Sequence, residues 1–295
     1  MKTKRLFALL TAAALMTSLA ACGGKDTGSG SDTADGGDLG LISVVSSEDG
    51  SGTRGAFIEL MGVEEKDADG YQTDMSTVDA TITNNPEVML STVAGDPASI
   101  GYVSLGSLND RVKALKIDGA EASAENVKNG SYKVARPFNV ATKGEPIGVA
   151  KDFLNFILSA EGQKVVSDDY ISVDDAAAAF QTDGSSGKIV VGGSSSVFPL
   201  MEKLAEAYQA VNSAAEIELQ SSDSTSGMTG TIDGTYDIGM TSRGLKDAES
   251  AELTPVVIAM DGIAVIVNNE NPIEELTSEQ VGQIYKGEMT EWSSL

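Results

Sequence analysis

The chain has 295 residues, 41% apolar and 22% charged, which excludes a largely disordered chain and suggests about two domains or lobes. Its net charge of −24 repels nucleic-acid phosphates and argues against DNA or RNA as a partner. With no histidine and one cysteine, the commonest general base and zinc ligand are gone, and neither an intrachain disulfide nor a cysteine-rich metal site can form, so composition points to a binding protein more than to an enzyme, with no catalytic residue, metal or cofactor expected.

The chain opens on Lys2, Lys4 and Arg5, followed by sixteen apolar or small residues from Leu6 to Ala21. That run is short of the ~20 residues a membrane-spanning helix needs, and its basic start and small-residue end read as a secretory signal peptide over 1–21. It closes on Leu19-Ala20-Ala21-Cys22, which resembles a bacterial lipobox and implies cleavage before Cys22 and lipidation of its thiol. Cleavage there removes three positive charges and no negative ones, taking the net charge from −24 to −27. Residues 22–40, the anchor and a Gly/Ser/Thr/Asp run, form a flexible leash to a membrane that the chain itself does not span.

In chain order, Leu41 to Val45 reads as a buried strand that meets a turn-rich stretch, Ser46 to Thr53, and Arg54 to Met61 as a helix. Asn84-Asn85-Pro86 starts a second helix, with Pro86 in its first turn. Ser99 to Leu105 and Val134 to Ala141 are extended, and Val149 to Val166 has helical spacing. Asp183 to Gly187 is a linker-like run that divides the folded part. Beyond it, Lys188 to Val191 is a strand, Gly192 to Ser196 a Gly/Ser loop, and Pro199 opens a helix. Ile217 to Leu219, Tyr236 to Met240, Val256 to Ile258 and Ile263 to Val267 are further strands, and Thr277-Ser278-Glu279-Gln280 is a capping box. Alternating strands and helices predict an α/β fold with mainly parallel sheets flanked by helices.

Four apolar strands run into Ser/Thr/Gly turns: Asp49 to Thr53, Ser194 to Val197, Asp223 to Gly227, and Thr241-Ser242. A helix start carries unpaired N–H groups and about half a positive charge, and hydroxyls add donors. Each turn alone is an ordinary helix cap, but four aimed at one point make an oxyanion site without metal or histidine. Gly50-Ser51-Gly52-Thr53-Arg54-Gly55 also fits the dinucleotide fingerprint, with Asp74 about 20 residues on. No clean strand carries that acid, and the loop has more hydroxyls than a pyrophosphate turn needs. Asp67-Ala68-Asp69-Gly70 hints at a calcium loop but lacks the remaining ligand spacing.

Ile189 to Pro199, with its GGSSSVFP core, and the Asp49-Gly50-Ser51-Gly52-Thr53 loop resemble the ligand loops of the phosphate-binding proteins of phosphate ABC transporters. Tyr236 to Arg243, Ile100 to Val103, and Gln283 to Trp292 match that family too, so the likeness covers roughly 41–295. In the family the GGSSSVFP segment comes first and DGSGT later. The reversed order here resembles a circular permutation with the family's usual ends joined near Asp183 to Gly187, the alternative being a chain cut from a longer tandem.

The resemblance implies a two-lobed fold of the periplasmic-binding-protein type, type II-like, one lobe being 41–132 plus 266–295 and the other 133–265, with hinge strands near Arg136 to Ala141 and Ile263 to Asn268. It implies that Ser51, Gly52, Thr53, Ser196, Val197, Ser224, Ser242 and Arg243 bind the ligand. An arginine common in the family falls at Ser47, and an acidic acceptor present in some members falls at Ser242, so Arg54 and Arg243 are the nearby sources of positive charge. The implied function is extracytoplasmic capture of inorganic phosphate and delivery to an ABC-transporter permease, from a lipid-anchored position on the outer face of a bacterial cell membrane. The alternatives are another oxyanion such as sulfate or molybdate, a phosphate sensor without transport, or a nucleotide-dependent enzyme.

Overall fold

The computed structural model of the chain describes residues 39–66 and 72–295. The expected signal peptide, Cys22, most of the leash and the 67–70 motif lie outside the described residues. One nine-stranded sheet is built from Ser43–Ser47 (β1), Thr81–Thr83 (β2), Ser99–Ser104 (β3), Val112–Ala114 (β4), Ala135–Thr142 (β5), Gly187–Ser194 (β6), Ala215–Ser222 (β7), Ile238–Thr241 (β8) and Thr254–Asn268 (β9). Its order is β7-β6-β8-β5-β9-β3-β1-β2, with β4 also on β9. Around it lie helices Gly52–Leu60 (α1), Pro86–Ala94 (α2), Gly148–Ile157 (α3), Ala160–Val166 (α4), Phe198–Val211 (α5), Ser224–Ile232 (α6) and Ser278–Lys286 (α7).

The sheet is mixed rather than mainly parallel. β1 runs parallel to β2 and β3, and β6 to β7 and β8, as expected of strands joined through helices. β5 and β9 break the pattern because they carry the chain between the two halves and run against their neighbours. β9 is one strand of 15 residues where the sequence suggests two runs. Its Thr254–Gly262 part pairs β5, with a bulge at Ile258, and its Ile263–Val267 part pairs β3, so the ladder is handed from one half to the other at Asp261-Gly262-Ile263 without a break. The buried side chains follow the same division. One apolar cluster draws on Phe138 to Ala259, including Phe153, Phe156 and Tyr208. A small one of Ala141, Met228 and Leu253 lies in the same half, and two more draw on Val45 to Val134 and Ile263 to Trp292, including Phe57, Tyr102 and Tyr285. This is a two-lobed α/β architecture of the periplasmic-binding type.

Two further boundaries move for local reasons. The helical stretch 149–166 is broken at Ser159, whose hydroxyl accepts from Gly162 N at 3.3 Å and restarts the chain as α4. β6 continues through the expected Gly/Ser loop as far as Ser194, and Gly193 makes this possible. Its φ is +134°, and a Cβ there would lie 2.3 Å from Met240 O and 3.0 Å from the Gly227 Cα. The glycine lets β6, β8 and α6 close on one another directly behind the ligand turns.

The 183–187 junction is held by Asp152 on α3. Its carboxylate, 1% exposed, accepts from Thr182 Oγ1 at 2.8 Å, Asp183 N at 3.0 Å, Tyr208 OH at 2.8 Å and Asn212 Nδ2 at 3.3 Å. Asp152→Ala orphans the buried Tyr208 hydroxyl, at about 1–3 kcal/mol, and removes the acceptor of Thr182 Oγ1 and Asp183 N, at about 1 kcal/mol each. Urea unfolding should therefore show a loss of roughly 3–5 kcal/mol, with faster proteolysis within 183–187. A loss under about 1 kcal/mol would show that the junction is held by something else.

Candidate functional site

Three helix starts and one strand end meet between the halves. Ser51 caps α1, accepting from Arg54 N at 3.3 Å, and leaves Gly52 and Thr53 as the first helical residues. The turn after β6 carries Ser195, Ser196 and Val197 into α5. Val197 N donates to Ser194 O at 3.0 Å, so in this form the Val197 amide closes its own turn. Asp223 caps α6, accepting from Ser226 N at 2.9 Å, and makes Ser224 its first residue. Ser242 follows the end of β8.

The hydroxyls of these turns converge. Thr53 Oγ1 and Ser196 Oγ are 2.7 Å apart across the halves. Ser194 Oγ donates to Ser242 Oγ at 2.9 Å, and Ser224 Oγ lies 3.4 Å from Ser242 Oγ and accepts from Ser242 N at 3.1 Å. Ser224 and Ser242 are fully buried, Thr53 and Ser196 nearly so. The loop before α1 also touches α6 directly, since Thr225 N donates to Gly50 O at 3.3 Å. The first-turn N–H groups of α1, α5 and α6 have no intrahelical acceptor, and each helix brings its positive end here. Buried neutral hydroxyls backed by three helix starts favour a compact, oxygen-rich anion despite the acidic surface.

A narrow pocket of about 10 Å³, room for one water-sized group, lies beside the Thr53–Ser196 pair. Its further walls include Ser47, Asn84, Asn85 and Tyr102. Tyr102 OH accepts from Ser47 N at 3.0 Å and lies 2.9 Å from Ser46 Oγ, while its ring stacks on Phe57 of α1 at 4.0 Å. The tyrosine thus fixes the loop that precedes α1 against the helix it starts.

The charged neighbours are held by carboxylates. Arg54 grips Asp74 through Nε at 2.9 Å and Nη2 at 2.8 Å, meets Asp49 at 3.0 Å, and donates from Nη1 to Ser47 O at 2.9 Å. Asp74, the acid of the dinucleotide pattern, is therefore an arginine partner. Arg243 forks onto Glu249 at 2.7 and 2.8 Å and reaches Thr225 Oγ1 at 3.3 Å, so its guanidinium points at the neighbouring turn and not into the hydroxyl cluster. Glu48 is pushed above its usual carboxylate range by burial and by Asp223 across the cleft.

A third arginine, which the sequence reading did not single out, lies directly behind the site. Arg136 of β5 donates from Nη1 to Ser242 O at 3.1 Å and from Nε and Nη2 to Asp261 at 3.3 and 3.2 Å. Asp261 also accepts from Ser104 Oγ at 2.8 Å. Both charges are buried, at the point where β9 passes from one half to the other. Burial pushes Asp261 up to about 6 in spite of Arg136. The available signal was a lone charge inside the apolar run Val134 to Ala141. Ser194, Tyr102, Asn84 and Asn85 gave weaker ones. Among the described residues no cluster of His, Cys, Asp and Glu could hold a metal ion, and no helix is long and apolar enough to cross a membrane.

The chain matches the PBP superfamily domain over residues 29–161 and 178–295. It is 48% identical to the phosphate-binding protein PstS 2 of Streptococcus agalactiae serotype V over 100% of this chain and 99% of that protein. It is 40% identical to the phosphate-binding protein PstS 2 of Streptococcus pneumoniae serotype 4 over 100% of both. The crystal structure of the phosphate-binding protein of a phosphate ABC transporter from Streptococcus pneumoniae TIGR4 superposes with a TM-score of 0.71 at 43% identity, covering 86% of this chain and 99% of that one.

Proposed function

The chain belongs to the phosphate-binding-protein family of the PBP superfamily, and on that premise we propose that it captures inorganic phosphate outside the cytoplasm and delivers it to the permease of a phosphate ABC transporter. The family is one of binding proteins, so the chain's work is capture and release without covalent chemistry. The observation that carries the reading is the meeting of Thr53 with Ser196, and of Ser224 with Ser242, at three helix starts contributed by both halves. The hydroxyls now hydrogen-bonded to one another would turn to phosphate oxygens, and the halves would close on the ligand about β5 and β9.

We further propose that the lobes comprise 41–132 plus 266–295 and 133–265, that the chain order is a circular permutation joined near 183–187, and that Cys22 carries the lipid that tethers the protein to the outer face of the cell membrane. Ser51, Gly52, Thr53, Ser196 and Ser224 are the proposed ligand residues. Ser242 acts as a hydroxyl partner. Arg243, neutralised by Glu249, acts only indirectly, through its hydrogen bond to Thr225 at the start of α6.

Phosphate should raise the melting temperature of the chain from Gly23 onward, because it binds only the folded form, and sulfate should do so less. If sulfate gives the larger shift at equal concentration, the ligand is another oxyanion. Ser47→Arg tests where positive charge is missing. A hydrogen bond to a charged group is worth about 1.5–3 kcal/mol, against about 0.3–1 for a helix terminus. Calorimetry should show roughly tenfold tighter phosphate binding, about 1.4 kcal/mol. Arg54 lies on the Ser47 carbonyl, so Arg54→Ala is the control. If Ser47→Arg weakens binding in both backgrounds, position 47 does not face the ligand.

A further inference from the structure

The halves also meet through contacts that bypass the hydroxyl cluster. Gly50, in the loop before α1, presents its carbonyl to the start of α6, where it accepts from Thr225 N and from Thr225 Oγ1, both at 3.3 Å. A Cβ at Gly50 would lie 2.4 Å from Asp223 Oδ1, so the loop backbone rests directly on the cap of α6. A Cβ at Gly55, in the first turn of α1, would lie 3.5 Å from Arg243 Cδ, so the arginine stem runs beside the same helix. Gly50 and Gly55 flank Ser51, Gly52 and Thr53, and the opposite half therefore holds the α1 turn at both ends. We infer that Thr225, aimed by the Arg243–Glu249 pair, is a latch between the halves that grips the Gly50 carbonyl and sets how slowly phosphate leaves. The inference rests on the phosphate reading above.

The direction of each hydrogen bond supports this role. A guanidinium only donates, so Arg243 Nη2, 3.3 Å from Thr225 Oγ1, occupies a lone pair of that hydroxyl. The hydroxyl proton is thereby left for Gly50 O, and the charged donor polarises the bond it makes there. Arg243 cannot swing away, because Glu249 holds it with both carboxylate oxygens at 2.7 and 2.8 Å. Glu249 is itself buried and fixed by Lys246 N at 2.8 Å. This explains why a buried arginine beside an anion site points away from the ligand hydroxyls. The latch also has a kinetic signature. Phosphate enters between separated halves, before the Thr225–Gly50 bonds form, and leaves only after they break. A contact made only in the closed form bears on release and not on entry.

On the chain from Gly23 onward, displacement of radiolabelled phosphate by excess unlabelled phosphate gives the release rate, and calorimetry gives the affinity. Thr225→Val keeps the side-chain shape and loses the hydroxyl. It should release phosphate about fivefold faster, with the association rate within about twofold of wild type. Thr225→Ser restores the hydroxyl and should release within about twofold of wild type. Gly50→Ala has no left-handed φ to strain it, but its methyl meets Asp223, which is tied to Ser226 N as the cap of α6. It should release phosphate at least tenfold faster. Melting curves establish that each variant is folded. Unchanged release in Thr225→Val, or release from Thr225→Ser as fast as from Thr225→Val, overturns the inference and leaves the phosphate reading intact. Affinity lost in Thr225→Val through slower association overturns it too. A wild-type chain that binds no phosphate overturns the phosphate reading itself, and the inference with it.

Discussion

Gly52→Ala is expected to abolish tight phosphate binding without harming the fold. A Cβ at position 52 would lie 2.3 Å from Ser224 Oγ and 2.7 Å from Ser242 Oγ. Neither serine can move aside freely, because Ser224 Oγ accepts from Ser242 N and Ser242 Oγ accepts from Ser194. The added methyl must hold the halves apart or break the hydroxyl cluster, and either loses the geometry on which capture depends. Gly52 is the first residue of α1 and has no left-handed φ, so alanine suits its backbone and improves helix propensity by up to ~1 kcal/mol. The helix gain offsets part of the cost of the disturbed hydroxyl bonds, so the ligand-free protein should still unfold cooperatively within a few degrees of wild type, while phosphate affinity falls by at least a hundredfold, about 2.7 kcal/mol. Unaltered affinity in a folded Gly52→Ala protein would mean that the halves do not meet around the ligand here.

Arg136→Met should have the largest effect on stability. It strands the fully buried Asp261 carboxylate, and breaking such a pair costs about 3–5 kcal/mol, or about 10 °C for a unit of this size. The loss should depend on pH with a definite sign. Asp261 titrates at about 6 in the fold against an ordinary 3.8, and removing Arg136 pushes the folded value higher still. The folded variant then keeps a proton that the unfolded chain gives up. Its stability is retained below about pH 4 and is lost as pH rises through the folded-state value. The deficit against wild type should be small near pH 5 and full by pH 8. The double variant Arg136→Met, Asp261→Leu should recover most of the stability, since a buried pair replaced by apolar side chains is often no less stable. It should still bind phosphate about tenfold more weakly, because Ser242 loses the donor on its carbonyl. A pH-independent deficit, or full affinity in the double variant, would contradict a role for this pair in placing Ser242.

The ligand turns were legible because their chemistry is local. A strand that stops at Ser, Thr or Gly and restarts as a helix announces its cap within a few residues: Thr277 caps where its segment indicated, while α1 and α6 start inside their turns, capped by Ser51 and Asp223, a few residues before the expected starts at Arg54 and after Gly227. Pro86 likewise marks the start of α2. What escaped the sequence is long-range. Arg136 and Asp261 lie 125 residues apart, and neither shows on its own strand that it has a partner. The stretch Met260-Asp261-Gly262 looks like a break in an apolar run, yet its backbone is paired on both sides of the handover and β9 continues through it. The expectation of a mainly parallel sheet failed at the same place, since two strands crossing between halves have to run against their neighbours. Arg243 drew attention by its closeness to Ser242 in sequence, whereas Glu249, six residues on, decides where its guanidinium goes.

The most direct measurement is the crystal structure of the chain from Gly23 onward grown with phosphate. One phosphate should lie between the halves, its oxygens within about 3 Å of Thr53, Ser196 and Ser224 hydroxyls and of first-turn N–H groups of α1 and α6. A phosphate bound to one half alone, or absent from these turns while they remain closed on one another, would contradict it.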